Sequence, residues 1–341
     1  MKKTPLGLIV DSHSLKGIVE ISKYAESAGF HSVWATELYR TAFQQLAAIA
    51  QHTSKIKLGS SVALAFVRSP LITAISAMDI DEASDGRLIL GLGSGARRTN
   101  ETWHGQPHGK PVTRIKECVD VVRRVILGSH TGNDVAYGGE YYDINIKGFT
   151  RPFKPVRTDV PIFLAAVGGG MARAAALCAD GYIGHIVCSK KYIEETIVPV
   201  LREGLESAGR ARSDFCVSSI FICAVCGKND LEETRRAAKA TVAFYATVKT
   251  YWKPFTLHGF IGQAEKIRDS YFKGDVRAMI ENVTDDMLDT FAIVGTADEC
   301  RKKLDGCSDY LDLPILSAPH YYLEPEQVEM YQKRIIETFG G

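Results

Sequence analysis

Short apolar runs alternate along this chain with amphipathic stretches of helical period, from the first residues to the last. Residues 55–95 show the unit most plainly. An apolar run through Ile56, Leu58 and Gly59 reads as a buried strand that hands over to the small residues Ser60, Ser61 and Val62. Pro70 opens a helix with Leu71, Ile72, Ile75 and Met78 predicted on one face. Gly86 ends it as a C-terminal cap, and Leu88, Ile89 and Leu90 begin the next strand. Strand, helix and parallel strand make a right-handed crossover. Small residues at both strand ends let a flat ligand lie close to the backbone.

The same reading places strands at 6–10, 32–36, 161–166, 181–187, 216–225 and 313–316. Helices are predicted at 15–28, 42–52, 112–127 (ended by Gly128), 170–179, 192–208, 231–248 and 324–339. Shorter ones fall within 251–288, and another is capped by Thr296 to Glu299. Residues 129–155 break the rhythm and read as a surface hairpin or lid. Eight strands alternating with helices predict an α/β fold, a (β/α)8 TIM barrel with insertions after strands four and seven. Residues 1–341 form a single domain on this reading. An open, doubly wound sheet is the alternative that alternation alone leaves standing.

A formal net charge of +1 with 24% charged residues leaves no electrostatic footprint for nucleic acid or a membrane surface. No apolar run approaches spanning length, and MKKTPLGLIV is too short for a signal peptide. The eight cysteines are scattered, as reduced thiols are. The expectation is a soluble cytoplasmic protein acting on a small molecule, with no nucleic-acid or membrane partner.

In a barrel, chemistry collects at the C-terminal ends of the strands. The residues placed there are Asp11 and His13, Glu37, Ser60 to Val62, Gly93 to Gly95, Ala166 to Gly170, and His185. Nucleophiles are few and small residues many, which suits a cofactor that carries the chemistry. Gly91-Leu92-Gly93-Ser94-Gly95 lacks a helix opening at its last glycine, since 96–110 reads as loop, so it departs from a dinucleotide fingerprint. Gly168, Gly169 and Gly170 run straight into a helix, as an anion site at a helix start does, or as a sharp turn does. Asp11 and Glu37 are candidate proton donors, with helix capping as the structural alternative. His104, His108 and His185 read as structural, with no metal-ligand spacing. Cys223 and Cys226, an odd interval apart on a strand, point to opposite faces and read with Cys216 as small apolar residues.

The runs SSVALAFVRSP, DEASDGRLILGLGSG and AESAGFHSVWATE resemble the bacterial-luciferase-like superfamily of flavin- and F420-dependent enzymes. The likeness is greater to its F420-dependent branch, the 5,10-methylenetetrahydromethanopterin reductases in particular. VAFYATVKTYWKPFTLHGF and DDMLDTFAIVGTADEC extend it over nearly the whole chain. The resemblance implies a homodimeric or homotetrameric (β/α)8 barrel with a non-prolyl cis peptide at Ser61–Val62, bulging against a tricyclic ring. It implies that the turn at Ala166, Val167, Gly168 and Gly169 holds the cofactor phosphate and that Thr36 and Glu37 face the deazaflavin. The cofactor contacts expected are therefore these residues with Ser60, Ser61, Val62, Ala63, Gly93, Ser94 and Gly95; Glu37 and Asp11 are the candidate catalytic acids, and no metal is expected. The chain has Glu37-Leu38 where the family often has Asp-His, and Ile9 or Val10 where the reductases carry a glutamate in strand one. The implied activity is hydride transfer between C5 of coenzyme F420 and a substrate carbon, a pterin C1 carrier being one candidate substrate. An FMN-dependent monooxygenase and a non-enzymatic flavin-binding protein are the alternatives.

Overall fold

A computed structural model describes residues 4–306 and 310–341. Eight strands follow one another as β1 (Gly7–Val10), β2 (Ser32–Ala35), β3 (Lys57–Ser60), β4 (Leu88–Gly93), β5 (Ile162–Ala166), β6 (Gly181–Gly184), β7 (Cys216–Val225) and β8 (Leu313–Ser317), with helical segments between them. The fold is a (β/α)8 barrel, with extra structure after β4 and β7. Contacts group the chain into two compact units: one holds the residues up to Val33, Gly184–Pro199 and those from Cys216 onward, the other Trp34–Ile183 and Val200–Phe215.

In the second unit β3, β4 and β5 pair in parallel, Leu58 beside Leu88 and Leu90 beside Ile162. Trp34 is fully buried, 6.1 Å from the Phe163 ring, and lies where a β-carbon on Gly59 would be. That close approach is why the strand carries glycine there. At the N-terminal end of β4, buried Arg87 donates to the carbonyls of Ser84 (2.7 Å), Ile56 (2.9 Å), Ala50 (3.1 Å) and Thr53 (2.9 Å). Each of these carbonyls thereby gains a side-chain donor.

Helix Pro70–Ala83 forms as expected, but it buries a different face. Thr73, Ala74, Ala77, Met78, Ile80 and Asp81 point inward, and Ile72 is exposed. Small alanines allow close packing, and Asp81 is drawn in by Arg157, whose Nε and Nη2 reach its carboxylate at 3.0 and 2.7 Å. Helix Pro111–Thr131 runs past Gly128, where a β-carbon would meet Val135, and stops at left-handed Gly132. Residues 129–155 do contain a hairpin, Val135–Gly138 antiparallel to Asp143–Ile146. Its tip is held by buried Glu117, which accepts the N–H groups of Glu140 and Tyr141 at 2.9 Å each. A short helix, Arg97–Thr102, replaces the loop expected after Gly95.

In the first unit β8 lies between β1 and β7, pairing Gly7 with Ile315 and Ile220 with Ile315. An unexpected strand, Ala292–Gly295, pairs with β7 on its other side. Thr296 and Glu299 form the capping box of helix Ala297–Asp305. Strand β6 ends at Gly184 rather than 187, and the helix after it begins at Lys190 with a π-turn over Ile193–Ile197. Cys223 is buried and Cys226 half-buried; the seven described cysteines form no disulfide, and Cys307 lies outside the described residues.

Candidate active site

Small residues let the C-terminal ends of β3, β4 and β5 crowd together. Ser60 Oγ donates to Gly91 O (2.8 Å) and accepts from Gly91 N–H (2.9 Å), so the hydroxyl serves the sheet. Ser61 N–H donates to Ala35 O at 2.7 Å, and the Ser61–Val62 peptide is cis. Val62 lies against Gly93, where a β-carbon would collide with its Cγ2. Ala63 and Leu64 then pair with Leu92 and Gly93, and Ala65 N–H donates to Gly93 O at 2.9 Å. Bulge and strand-four turn are one packed object.

Glu37 anchors that object. Its Oε2 accepts the Leu64 N–H at 2.8 Å and Arg68 Nη1 at 2.9 Å, and Arg68 Nη2 bonds Oε1. The Glu37 side chain is 7% exposed. Arg68 also donates to Leu64 O (3.3 Å) and lies 5.1 Å from the Phe43 ring centre. Thr36 is exposed; its carbonyl accepts buried Gln45 Nε2 at 2.7 Å.

Ala166, Val167, Gly168 and Gly169 turn from β5 into helix Gly169–Cys178, whose N-cap, Gly168, makes no side-chain capping bond. The first-turn N–H groups of such a helix carry the positive end of its dipole. Tyr182, fully buried on β6, donates its hydroxyl to Ala166 O at 3.0 Å and fixes the start of the turn. On β4, Ser94 and Gly95 follow Gly93, and Ser94 O accepts Asn100 Nδ2 at 2.7 Å. Thus Thr36, Glu37, Ser60 to Ala63, Gly93 to Gly95 and Ala166 to Gly169 all belong to the second unit.

Asp11 belongs to the first unit. Its backbone is pinned by Gln332, which accepts the N–H at 3.0 Å and donates to the carbonyl at 2.7 Å. His185 follows β6 in an aromatic group of the same unit, stacked on Tyr251 (4.1 Å, 22°) and edge-on to Tyr245 (4.9 Å, 89°). Burial pushes its pKa down to about 3, and Nδ1 accepts the Val187 N–H at 3.5 Å. The ring is neutral, its proton on Nε2. Sequence reasoning missed Arg68, Gln45, Tyr182 and Asn100. Only Arg68 had a signal, as a cation at the end of an apolar run.

Residues 4–310 match the family described as luciferase-like monooxygenase. The chain belongs to that family. An uncharacterized protein of Mycobacterium tuberculosis is 34% identical over 301 residues, 86% of this chain and 88% of the relative. The 5,10-methylenetetrahydromethanopterin reductase of Archaeoglobus fulgidus is 31% identical over 299 residues, 84% of each chain. Among solved structures, the coenzyme F420-dependent tetrahydromethanopterin reductase of Methanopyrus kandleri superposes with a TM-score of 0.81 at 25% identity, over 99% of each chain. Among the described residues no helix is long and apolar enough to cross a membrane.

Proposed function

We propose that this chain is an F420-dependent oxidoreductase, passing a hydride between C5 of the deazaflavin and a carbon of a small-molecule substrate. The observation that carries the reading is the packed bulge: Ser61 and Val62 seated on Gly93 and braced by Glu37 through Leu64. Ser61 Oγ is buried and has no hydrogen-bond partner, a polar atom that a ligand's ring edge would complete. The uncapped helix start at Gly169 suits the cofactor's phosphate. Similarity to the methylenetetrahydromethanopterin reductases adds a pterin C1 carrier as the substrate to try first.

The deazaflavin, when bound, supplies the carbon that gives or takes hydride. The protein's part is to fix the ring's support and exclude movement there, since orientation of reacting carbons can lower a barrier by roughly 7–11 kcal/mol at the most favourable geometry. Glu37 acts by bracing the bulge, because Arg68 and Leu64 occupy both its oxygens. Asp11 stays the candidate for proton transfer. The chain works as one barrel domain, as a homodimer or homotetramer.

Titration of apo-protein with F420 and with FMN in one buffer tests the reading. F420 should bind at least about tenfold tighter, a difference of about 1.4 kcal/mol. Tighter FMN binding would move the protein to the monooxygenase side of the family, and binding of neither would overturn the proposal. Hydride transfer from reduced F420 to a methylene-pterin carrier then tests the substrate.

A further inference from the structure

The turn that follows β4 is held from outside the sheet by two buried side chains, Asn100 (0% exposed) and His108 (8%). Asn100 Nδ2 lies 2.7 Å from Ser94 O and 3.0 Å from His108 Nδ1. A carbonyl oxygen can only accept, so the nitrogen of the amide must face Ser94. The same nitrogen meets His108, and Nδ1 therefore accepts and carries no proton. This orientation is kept at a cost: Asn100 Oδ1 is buried with no partner, against Gly95, where a β-carbon would stand 2.7 Å from it. The amide gives up one acceptor to make two donor bonds, one of which exists only with neutral imidazole.

We propose that Asn100 and His108 are positioning residues of the cofactor site, a clamp on the strand-four turn that holds only while His108 is uncharged. The role rests on the cofactor reading above, because the turn begins at Gly93, on which Val62 is seated. A proton on Nδ1 would set a donor against a donor. Rotating the amide would satisfy the imidazolium with Oδ1, but would turn that oxygen toward Ser94 O and leave the turn without its bond. Either outcome loosens Ser94 and Gly95 and, through Gly93, the bulge.

The surroundings keep the clamp closed at neutral pH. Burial, then Arg97 and Arg114, hold the His108 pKa below the usual histidine value, and Glu101 opposes them. Arg97 and Glu101 flank it on helix Arg97–Thr102, Arg114 on helix Pro111–Thr131, while the Phe66 ring meets the imidazole edge-on at 5.6 Å and brings no charge. With its folded pKa depressed, His108 favours the ordered turn above about pH 6.5 and withdraws that support as pH falls through the lowered value.

The test compares wild type, His108→Gln and Asn100→Ala at about pH 7.5 and about pH 5, reading the Kd for F420 and for FMN. Wild type should lose about tenfold in affinity on acidification, the worth of one or two hydrogen bonds. H108Q, uncharged at both values, should change by no more than about threefold between them, whatever its absolute affinity, and carries any titration of the ligand itself. N100A should bind weakly at both. An equal acid loss in H108Q, or wild-type affinity in N100A, overturns the clamp. Amide exchange of residues 93–96 in cofactor-free protein gives a second reading. Acid-accelerated exchange in wild type beyond that of H108Q supports the clamp even if neither cofactor binds, and matching rates overturn it.

Discussion

Glu37 Oε2 accepts the backbone N–H of Leu64 at 2.8 Å, with Arg68 closed on both oxygens of the same carboxylate. An acid just past β2 thereby fixes the backbone beyond the bulge. On the reading proposed above its role is mechanical, with the Arg68 guanidinium fork meeting both carboxylate oxygens.

Removing the fork should therefore hurt more than neutralising the acid. Arg68→Ala leaves a carboxylate of 7% exposure unpaired and should cost about 2–4 kcal/mol, discounted for the partial exposure of Arg68. Glu37→Gln keeps an acceptor for Leu64 and should cost about half as much. Urea midpoints of the two variants settle the order; equal or inverted losses would remove the brace from the account.

Gly93→Ala should disturb the bulge directly, because the new methyl enters the space of Val62 Cγ2. Overpacking of this kind costs about 1–3 kcal/mol. Adding Val62→Ala should return at least half of that loss, a coupling of about 1 kcal/mol in a double-mutant cycle. Strict additivity of the two changes would show that they do not share the space.

Tyr182→Phe strips Ala166 O of its 3.0 Å donor while leaving the buried ring in place. A loss of about 1–2 kcal/mol in thermal or urea unfolding is expected. If the turn at Ala166 to Gly169 holds the cofactor phosphate, inorganic phosphate should also compete less well with F420 in this variant than in wild type.

Acid should weaken the fold through His185. Its pKa, about 3 in the folded protein against 6.5 for a free imidazole, means that the unfolded chain takes up the proton first. Stability from the neutral ring is thus full above about pH 6.5 and drains as pH falls toward 3, by up to about 2 kcal/mol at pH 5. His185→Phe keeps the stack on Tyr251 and should flatten that slope in urea midpoints measured across the range; an unchanged slope would place the titration elsewhere.

Alternation along the sequence was enough to lay out the eight strands, because a buried strand and an amphipathic helix each write their own period. The burial of helix Pro70–Ala83 was not legible, since Asp81 is pulled inward by Arg157, far along the chain. Strand Ala292–Gly295 escaped notice because four residues between two helices carry too little period. At the site, the glycines of β3 and β4 could be read as places of close approach. The partners of Glu37 could not, for nothing local links position 37 to Arg68. Asn100 meets His108 across a turn that includes Gly105 at positive φ, a closure that no local period announces.

Arg87 carries a last implication. One planar cation gathers oxygens from the two segments that enter β3 and β4, using donors that a lysine ammonium could not distribute in the same plane. Swapping the connections at the opposite rim for those of a relative would leave this foundation in place. The entry to these two strands is thus suited to grafting: Arg87 ties both from below, and new specificities can be tried at their far ends without re-solving this part of the sheet.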